Sequence, residues 1–174
     1  MAHSIELLLD DRSDAAIRKL WQALDDAALP SQVRVKSATN RPHITVLAAD
    51  RISPDVDSAL VQLAPRIPLP VLVGAPLVFG GGRLVLARLI VASAELLELH
   101  REVYDICLPH LPGDPYGHTA PGQWTPHATL GRRLTAAQLG SAFEVIEGLS
   151  GDIAASAVGL RRWDGDQRVE RVLI

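Results

Sequence analysis

Residues 41–47 read RPHITVL, and half a chain later residues 125–131 read TPHATLG. Each copy has the order Pro-His-x-Thr, with Pro42, His43 and Thr45 in the first and Pro126, His127 and Thr129 in the second. The chain of 174 residues holds only six His and six Thr. At those frequencies the expected number of Pro-His-x-Thr matches is on the order of 0.01, so a pair points to a purpose. In an extended strand, residues two apart share a face. His43 and Thr45 therefore point one way while Ile44 and Val46 point into a core. His127 and Thr129 likewise share a face, opposite Ala128 and Leu130.

Around the two motifs the chain repeats an order of elements. Helical periodicity predicts helices over 13–28, 54–64, 94–108 and 136–147. The first places Ile17, Leu20, Trp21 and Leu24 on one face, and the second Val56, Leu60 and Leu63. The third carries Leu96, Leu99, Val103 and Ile106, and the fourth Leu139, Phe143 and Ile146. Ser13 and Ser93 open the first and third helices. Ser53 followed by Pro54 opens the second, and Thr135 with Gln138 has capping-box spacing at the start of the fourth. Strands are predicted over 3–10, 42–48, 69–78, 83–91, 126–132, 152–161 and 168–173, with a further short one at 33–36. Gly80, Gly81 and Gly82, and Asp164 with Gly165, read as hairpin turns.

The first half thus runs strand, helix, His-bearing strand, helix. The second half repeats that order and ends in a hairpin, as an internal duplication would. The expected fold is α+β. Two pseudo-symmetric lobes of mainly antiparallel sheet carry helices on the outside and leave a central cleft. The lobes come approximately from residues 1–66 and 83–150 of a single domain, closed by strands 69–78 and 152–173.

Composition limits the function. With 48% hydrophobic and 21% charged residues the profile is that of a soluble globular protein. A net charge of −3 argues against a protein that coats nucleic acid through a broad basic face. The basic residues are fifteen Arg and two Lys, and Arg suits bidentate contacts to phosphate. The lone Cys107 has no internal partner and reads as a buried, reduced thiol. The N-terminal MAHSIELLLDDR lacks the basic region of a signal peptide. The longest apolar run, LVLARLIVA, is interrupted by Arg88 and is too short to cross a bilayer. A cytoplasmic location is expected, with no membrane partner.

If the two polar faces meet across the cleft, two imidazoles and two hydroxyls surround one centre. That set suits in-line attack at phosphorus, which needs a base on the attacking side and an acid on the leaving side. His can play either part near neutral pH. The hydroxyls can donate to the non-bridging oxygens, where negative charge concentrates. The scheme requires no metal and no cofactor.

The paired Pro-His-x-Thr-apolar motifs, the HATLGRR that extends the second, and the element order over nearly the whole chain resemble the two-histidine (2H) phosphoesterase superfamily. That group contains bacterial 2′-5′ RNA ligases and RNA 2′,3′-cyclic phosphodiesterases. The resemblance implies a bilobal α+β fold and metal-free hydrolysis or ligation at 2′-linked phosphates. It implies that His43 and His127 form the acid–base pair and that Thr45 and Thr129 hold the phosphate. The implied partner is a small nucleotide or RNA end bearing a cyclic or 2′-linked phosphate.

Other residues are candidates for substrate contact. Arg132 and Arg133 follow the second motif on alternate faces, and Arg41 precedes the first. All three could reach phosphate. Tyr116, His118 and Trp124 lie in the Gly/Pro-rich loop leading to His127 and could stack on a base. His3, His100 and His110 read as surface or packing residues. Gly80–Arg83 lacks the Gly-Lys-Ser/Thr ending of a phosphate loop, and Asp164–Asp166 lacks the rest of a calcium loop. Two rival readings stand beside the phosphodiesterase: a metal-dependent phosphohydrolase with the two His as ligands, and a catalytically silent nucleotide- or RNA-binding module.

Overall fold

Every strand pairing in the computed structural model, which describes residues 1–149 and 151–174, is antiparallel. Strands β1 (His3–Leu9), β2 (His43–Ala49), β3 (Leu69–Phe79), β4 (Leu84–Ile90), β5 (His127–Leu134) and β6 (Ile153–Asp164) form one sheet in the order β2-β1-β6-β3-β4-β5. The short β7 (Val169–Val172) pairs with β6. The helices are α1 (Asp11–Asp26), α2 (Asp57–Leu60), α3 (Ala94–Cys107) and α4 (Ala136–Ile146). This is the expected α+β fold, and both predicted hairpins form, between β3 and β4 and between β6 and β7.

The sheet falls into two halves that share β6. The first part of β6 pairs with β3 and the remainder with β1, the two registers meeting at Ala157, which faces both Leu9 and Leu69. The strands at the two ends of the order, β2 and β5, are the motif strands, and they pack against each other. A continuous sheet can bring its two ends together only by curling, so the cleft follows from the topology.

Both motif strands carry the same irregularity. In β2 the pairing steps from Thr45 opposite Glu6 to Leu47 opposite Ile5, which leaves Val46 as the extra residue. In β5 it steps from Thr129 opposite Ala87 to Gly131 opposite Leu86, which leaves Leu130 extra. A bulge turns two successive residues toward one face. Val46 with Leu47, and Leu130 with Gly131, are accordingly all buried. The alternation that exposes His and Thr is thus broken at the same step in each half.

The helices cover the sheet with the faces their periodicity requires. Ile17, Leu20, Trp21 and Leu24 of α1, and Leu96, Leu99, Val103 and Cys107 of α3, are buried. Burial pushes the Cys107 thiol up to about 12, which leaves it protonated and inert at neutral pH. The Thr135–Gln138 capping box is present in full.

Several expectations need correction. Asp10 caps α1 by accepting from the Ser13 amide at 3.0 Å, so the helix starts before the predicted Ser13. Residues 33–36 form no strand; the Ser31 hydroxyl accepts from Val33 N–H and closes a 3-10 turn over Gln32–Arg34 instead. The helix expected over 54–64 is one α-turn between 3-10 segments, the second of which contains Pro65. Phe143 is 39% exposed, while Ala142 and Ile146 make the buried face of α4. The expected lobe boundary at residue 150 lies outside the described residues. Among the described residues no helix is long and apolar enough to cross a membrane.

Candidate active site

His43 and His127 line one cavity of about 460 Å³. Each opens its strand, and each imidazole is fixed in the same way. Nδ1 of His43 lies 2.8 Å from the carbonyl of Arg41, and Nδ1 of His127 lies 2.7 Å from that of Thr125. A carbonyl only accepts, so Nδ1 carries the proton in both rings. Nε2 is then the nitrogen left to exchange protons with a substrate. The carbonyl two residues upstream holds the ring because the proline between them, Pro42 or Pro126, is buried and sets the turn into the strand.

Thr45 lines the cavity with His43. Thr129 is half-buried on the same strand as His127 and Arg132, which both line the cavity, but is not itself part of the lining. Arg132, His118 and Trp124 line it as well. Arg41, Arg133 and Tyr116 do not. Arg41 lies 3.6 Å from Glu170, Arg133 takes a positive φ of 65°, and the Tyr116 hydroxyl donates to Asp50 at 2.8 Å.

The loop before β5 is fastened over the edge of β2. The Tyr116 amide donates to the Ala48 carbonyl at 2.8 Å, and the Trp124 indole donates to the Thr45 carbonyl at 2.9 Å. Trp124 also stacks on His100, with centroids 4.0 Å apart and planes 3° from parallel. His100 is 2% exposed, bonds to the Thr119 carbonyl at 2.9 Å, and is held by burial below its ordinary value. His100 is therefore a neutral pillar beneath the site.

The two walls of the cavity are electrically unlike. On the first wall Glu6 of β1, 5% exposed, stands opposite Thr45. Its Oε1 accepts from the Ser4 hydroxyl at 2.6 Å and lies 3.7 Å from His43 Nε2. Its Oε2 accepts from Nε of Arg161, which is 3% exposed, at 2.7 Å. Burial pushes the Glu6 carboxyl upward, but the charges of His43 and Arg161 and hydrogen bonds from Ser4 and Arg161 outweigh it, so the group stays ionised. On the second wall the Phe79 ring sits 4.6 Å from His127, and Val85 stands opposite Arg132. Burial, with the charges of Arg132, His43 and His118, holds His127 below its ordinary value against the raising effect of the Thr125 carbonyl.

Glu6, Phe79 and Gln123 line the cavity without having been singled out from the sequence. Glu6 sits in the apolar run SIELLL, where only its strand face, matching that of Thr45, could have flagged it.

One group of His and carboxylates among the described residues is close enough to hold a metal: His3, Asp164 and Asp166. It includes neither motif histidine. His3 Nδ1 accepts from the Ile52 amide at 3.4 Å, so its Nε2 carries the proton and faces Asp164 and Asp166 at 3.3 Å as a donor. That arrangement is an internal polar cluster in which the ring donates to the carboxylates, rather than a set of free ligands.

The sequence model of the 2′-5′ RNA ligase superfamily matches residues 9–167. The chain belongs to that superfamily and is an enzyme of the phosphoesterase type. Comparison with curated protein sequences gives no match. Among solved structures, the chain is similar to Kluyveromyces marxianus Usb1 with uridine monophosphate, at 14% identity, over 99% of this chain and 96% of that one, with a TM-score of 0.53. It is also similar to a crystal structure described as a phosphoesterase, at 16% identity, over 98% and 93% of the two chains, with a TM-score of 0.55. At these identities the likeness concerns the fold.

Proposed function

We propose that the cleft hydrolyses 2′,3′-cyclic phosphates or 2′-5′ phosphodiesters on RNA ends or nucleotides without a metal, and can run in reverse as a 2′-5′ ligase. The observation that carries this reading is the matched pair of imidazoles in one cavity, each with Nδ1 locked on a backbone carbonyl and Nε2 left for proton exchange. For hydrolysis, one Nε2 takes a proton from water as the water oxygen bonds to phosphorus. The bond from phosphorus to the leaving oxygen breaks, and that oxygen takes a proton from the other Nε2. The two rings exchange one proton in net terms, so the pair resets by solvent exchange.

Thr45 and Thr129 hold the non-bridging oxygens, with Arg132 adding charge at the mouth. Trp124 and His118 offer ring surface to a base. The cavity volume falls within the range of about 300–1,000 Å³ usual for small-molecule sites, which fits a nucleotide-sized ligand. A solved structure of similar fold is described with uridine monophosphate, which agrees in size.

The metal-dependent alternative has less support, since the candidate metal cluster among the described residues contains neither motif histidine. The deciding experiment is phosphorus NMR of 2′,3′-cyclic nucleotides and 2′-5′ dinucleotides incubated with the protein in excess EDTA. Conversion of either substrate is expected. Activity that vanishes with EDTA and returns with a divalent ion would put the metal-dependent reading first, and no turnover of any substrate would leave a binding module.

A further inference from the structure

The two halves superimpose in pattern but not in charge. The residue paired with the motif Thr is Glu6 in the first half and Ala87 in the second. Two pairs along, Ser4 pairs with Ala48 where Val85 pairs with Arg132. The first half thus has an anion where the second has Ala87, and the second a cation where the first has Ala48. Glu6 neutralises the buried Arg161 through one oxygen, and its other oxygen is turned toward His43.

The hydrogen-bond geometry gives the carboxylate a task. His43 Nδ1 already donates to Arg41, so a neutral ring would turn a bare Nε2 lone pair toward Glu6 Oε1, 3.7 Å away. Ionised carboxylate oxygens only accept. The contact is favourable only when Nε2 also carries a proton. Glu6 cannot swing away, because Ser4 holds one oxygen and Arg161 the other, and Arg161 is itself tied to the Thr39 carbonyl at 2.9 Å and to Glu170. Among the described residues His127 has no such carboxylate partner and faces Phe79 instead.

We propose that Glu6 is a positioning residue that keeps the proton on His43 Nε2, so that the first motif supplies the general acid and the second the general base in hydrolysis. This rests on the phosphodiesterase reading above. The other charged groups around His43 do not reverse it. Arg161, on β6, lies behind Glu6 and is paired to it, and Arg41 turns to Glu170 of β7. His127 of β5 is held below its ordinary value, His118 of the loop lines the same cavity, and His100 of α3 is shielded under Trp124. The acid is therefore placed by one anion acting through one ring.

The test reads protonation and turnover separately. In nitrogen-15 imidazole NMR of the wild-type protein, His127 should lose its proton before His43 as pH rises; the opposite order overturns the proposal without any variant. In Glu6→Gln the His43 transition should move to lower pH while that of His127 keeps its place. The basic limb of kcat/KM should move with it by about one pH unit, a loss of about tenfold on that limb and little loss on the acidic side. Glu6→Asp should restore part of the shift, which a packing role alone would not. If Arg161, left without its anion, unfolds Glu6→Gln, the double variant Glu6→Gln/Arg161→Met removes both charges and serves instead. A His43 transition that does not move in a folded variant ends the proposal even if the enzyme stays active. A transition that moves in a protein showing no turnover leaves the coupling standing and removes the phosphodiesterase reading.

Discussion

The indole N–H of Trp21, on α1, donates to the carbonyl of Thr129 at 2.9 Å, and the indole of Trp124 returns the contact to the carbonyl of Thr45 at the same distance. Each half of the molecule thus holds the motif Thr of the other by its backbone. Both carbonyls belong to strands at the ends of the sheet order, where ladder partners run out on one side. The indoles fill that vacancy and fix the height of each motif relative to its counterpart. Trp21→Phe and Trp124→Phe keep an aromatic ring but lose the donor. Each should cost about 1 kcal/mol of stability and about tenfold in kcat, with KM changed less, because misplacement by a fraction of an ångström is felt mainly in the transition state. Unchanged kcat in both variants would show the clasp to be packing alone.

Replacing His43 or His127 by Ala should lower kcat by about 10²–10⁴-fold each. The double variant should lose far less than the product, since the rings act as a unit. Steady-state kinetics on a cyclic nucleotide, with circular dichroism to verify folding, decides it. Wild-type activity in either single variant would make the repeat structural.

Thr45 lines the cavity and Thr129 does not. Thr45→Val should therefore be the costlier of the two hydroxyl deletions, within the range of about 10–10³-fold for a lost oxyanion donor. Equal or reversed costs would mean that the substrate seats nearer the second motif than the cavity suggests.

Phe79 packs against the His127 ring, and burial is the leading reason that ring resists protonation. Phe79→Ala should let water in and move the His127 transition up toward its ordinary value. NMR titration of the variant checks this directly. A transition that stays or falls would assign the effect to Arg132 and the neighbouring histidines instead.

Stability should fall with acid in two stages. His100 and His127 are held below 6.5 in the folded protein, so the unfolded chain binds more protons once pH drops under that value, and stability declines from there. Glu6 is held below its ordinary 4.5, so its contribution is present above that value and is lost as pH falls through the lower folded one. Melting temperatures measured from pH 8 to pH 3 should be level at first and then drop with these two onsets. A rise between pH 7 and pH 5 in Glu6→Gln, which lacks the opposing gain from the proton held on His43, would contradict the burial of His100.

Much of this was legible from period alone. The faces of α1 and of both motif strands followed from spacing, because burial of alternate or every third and fourth residue is a local property. The role of Trp21 was not, since an indole on an apolar stripe reads as core whether or not its N–H has a distant partner. Glu6 escaped for the same reason, because its meaning lies in β2 and β6 and in no residue beside it. The 33–36 segment shows the converse failure. Val33 and Val35 have strand propensity, yet the Ser31 hydroxyl offers their backbone a turn, and 38% and 48% exposure leaves those valines no core to enter.

Ala157 stands where one strand changes partners, bonded along β1 on one side and β3 on the other. Jaws that share a bone cannot be opened at a hinge. Parting the walls of the cleft would mean tearing a backbone ladder rather than rotating a linker, so the shared strand itself resists opening. A substrate of the proposed reaction must then fit the gap it enters.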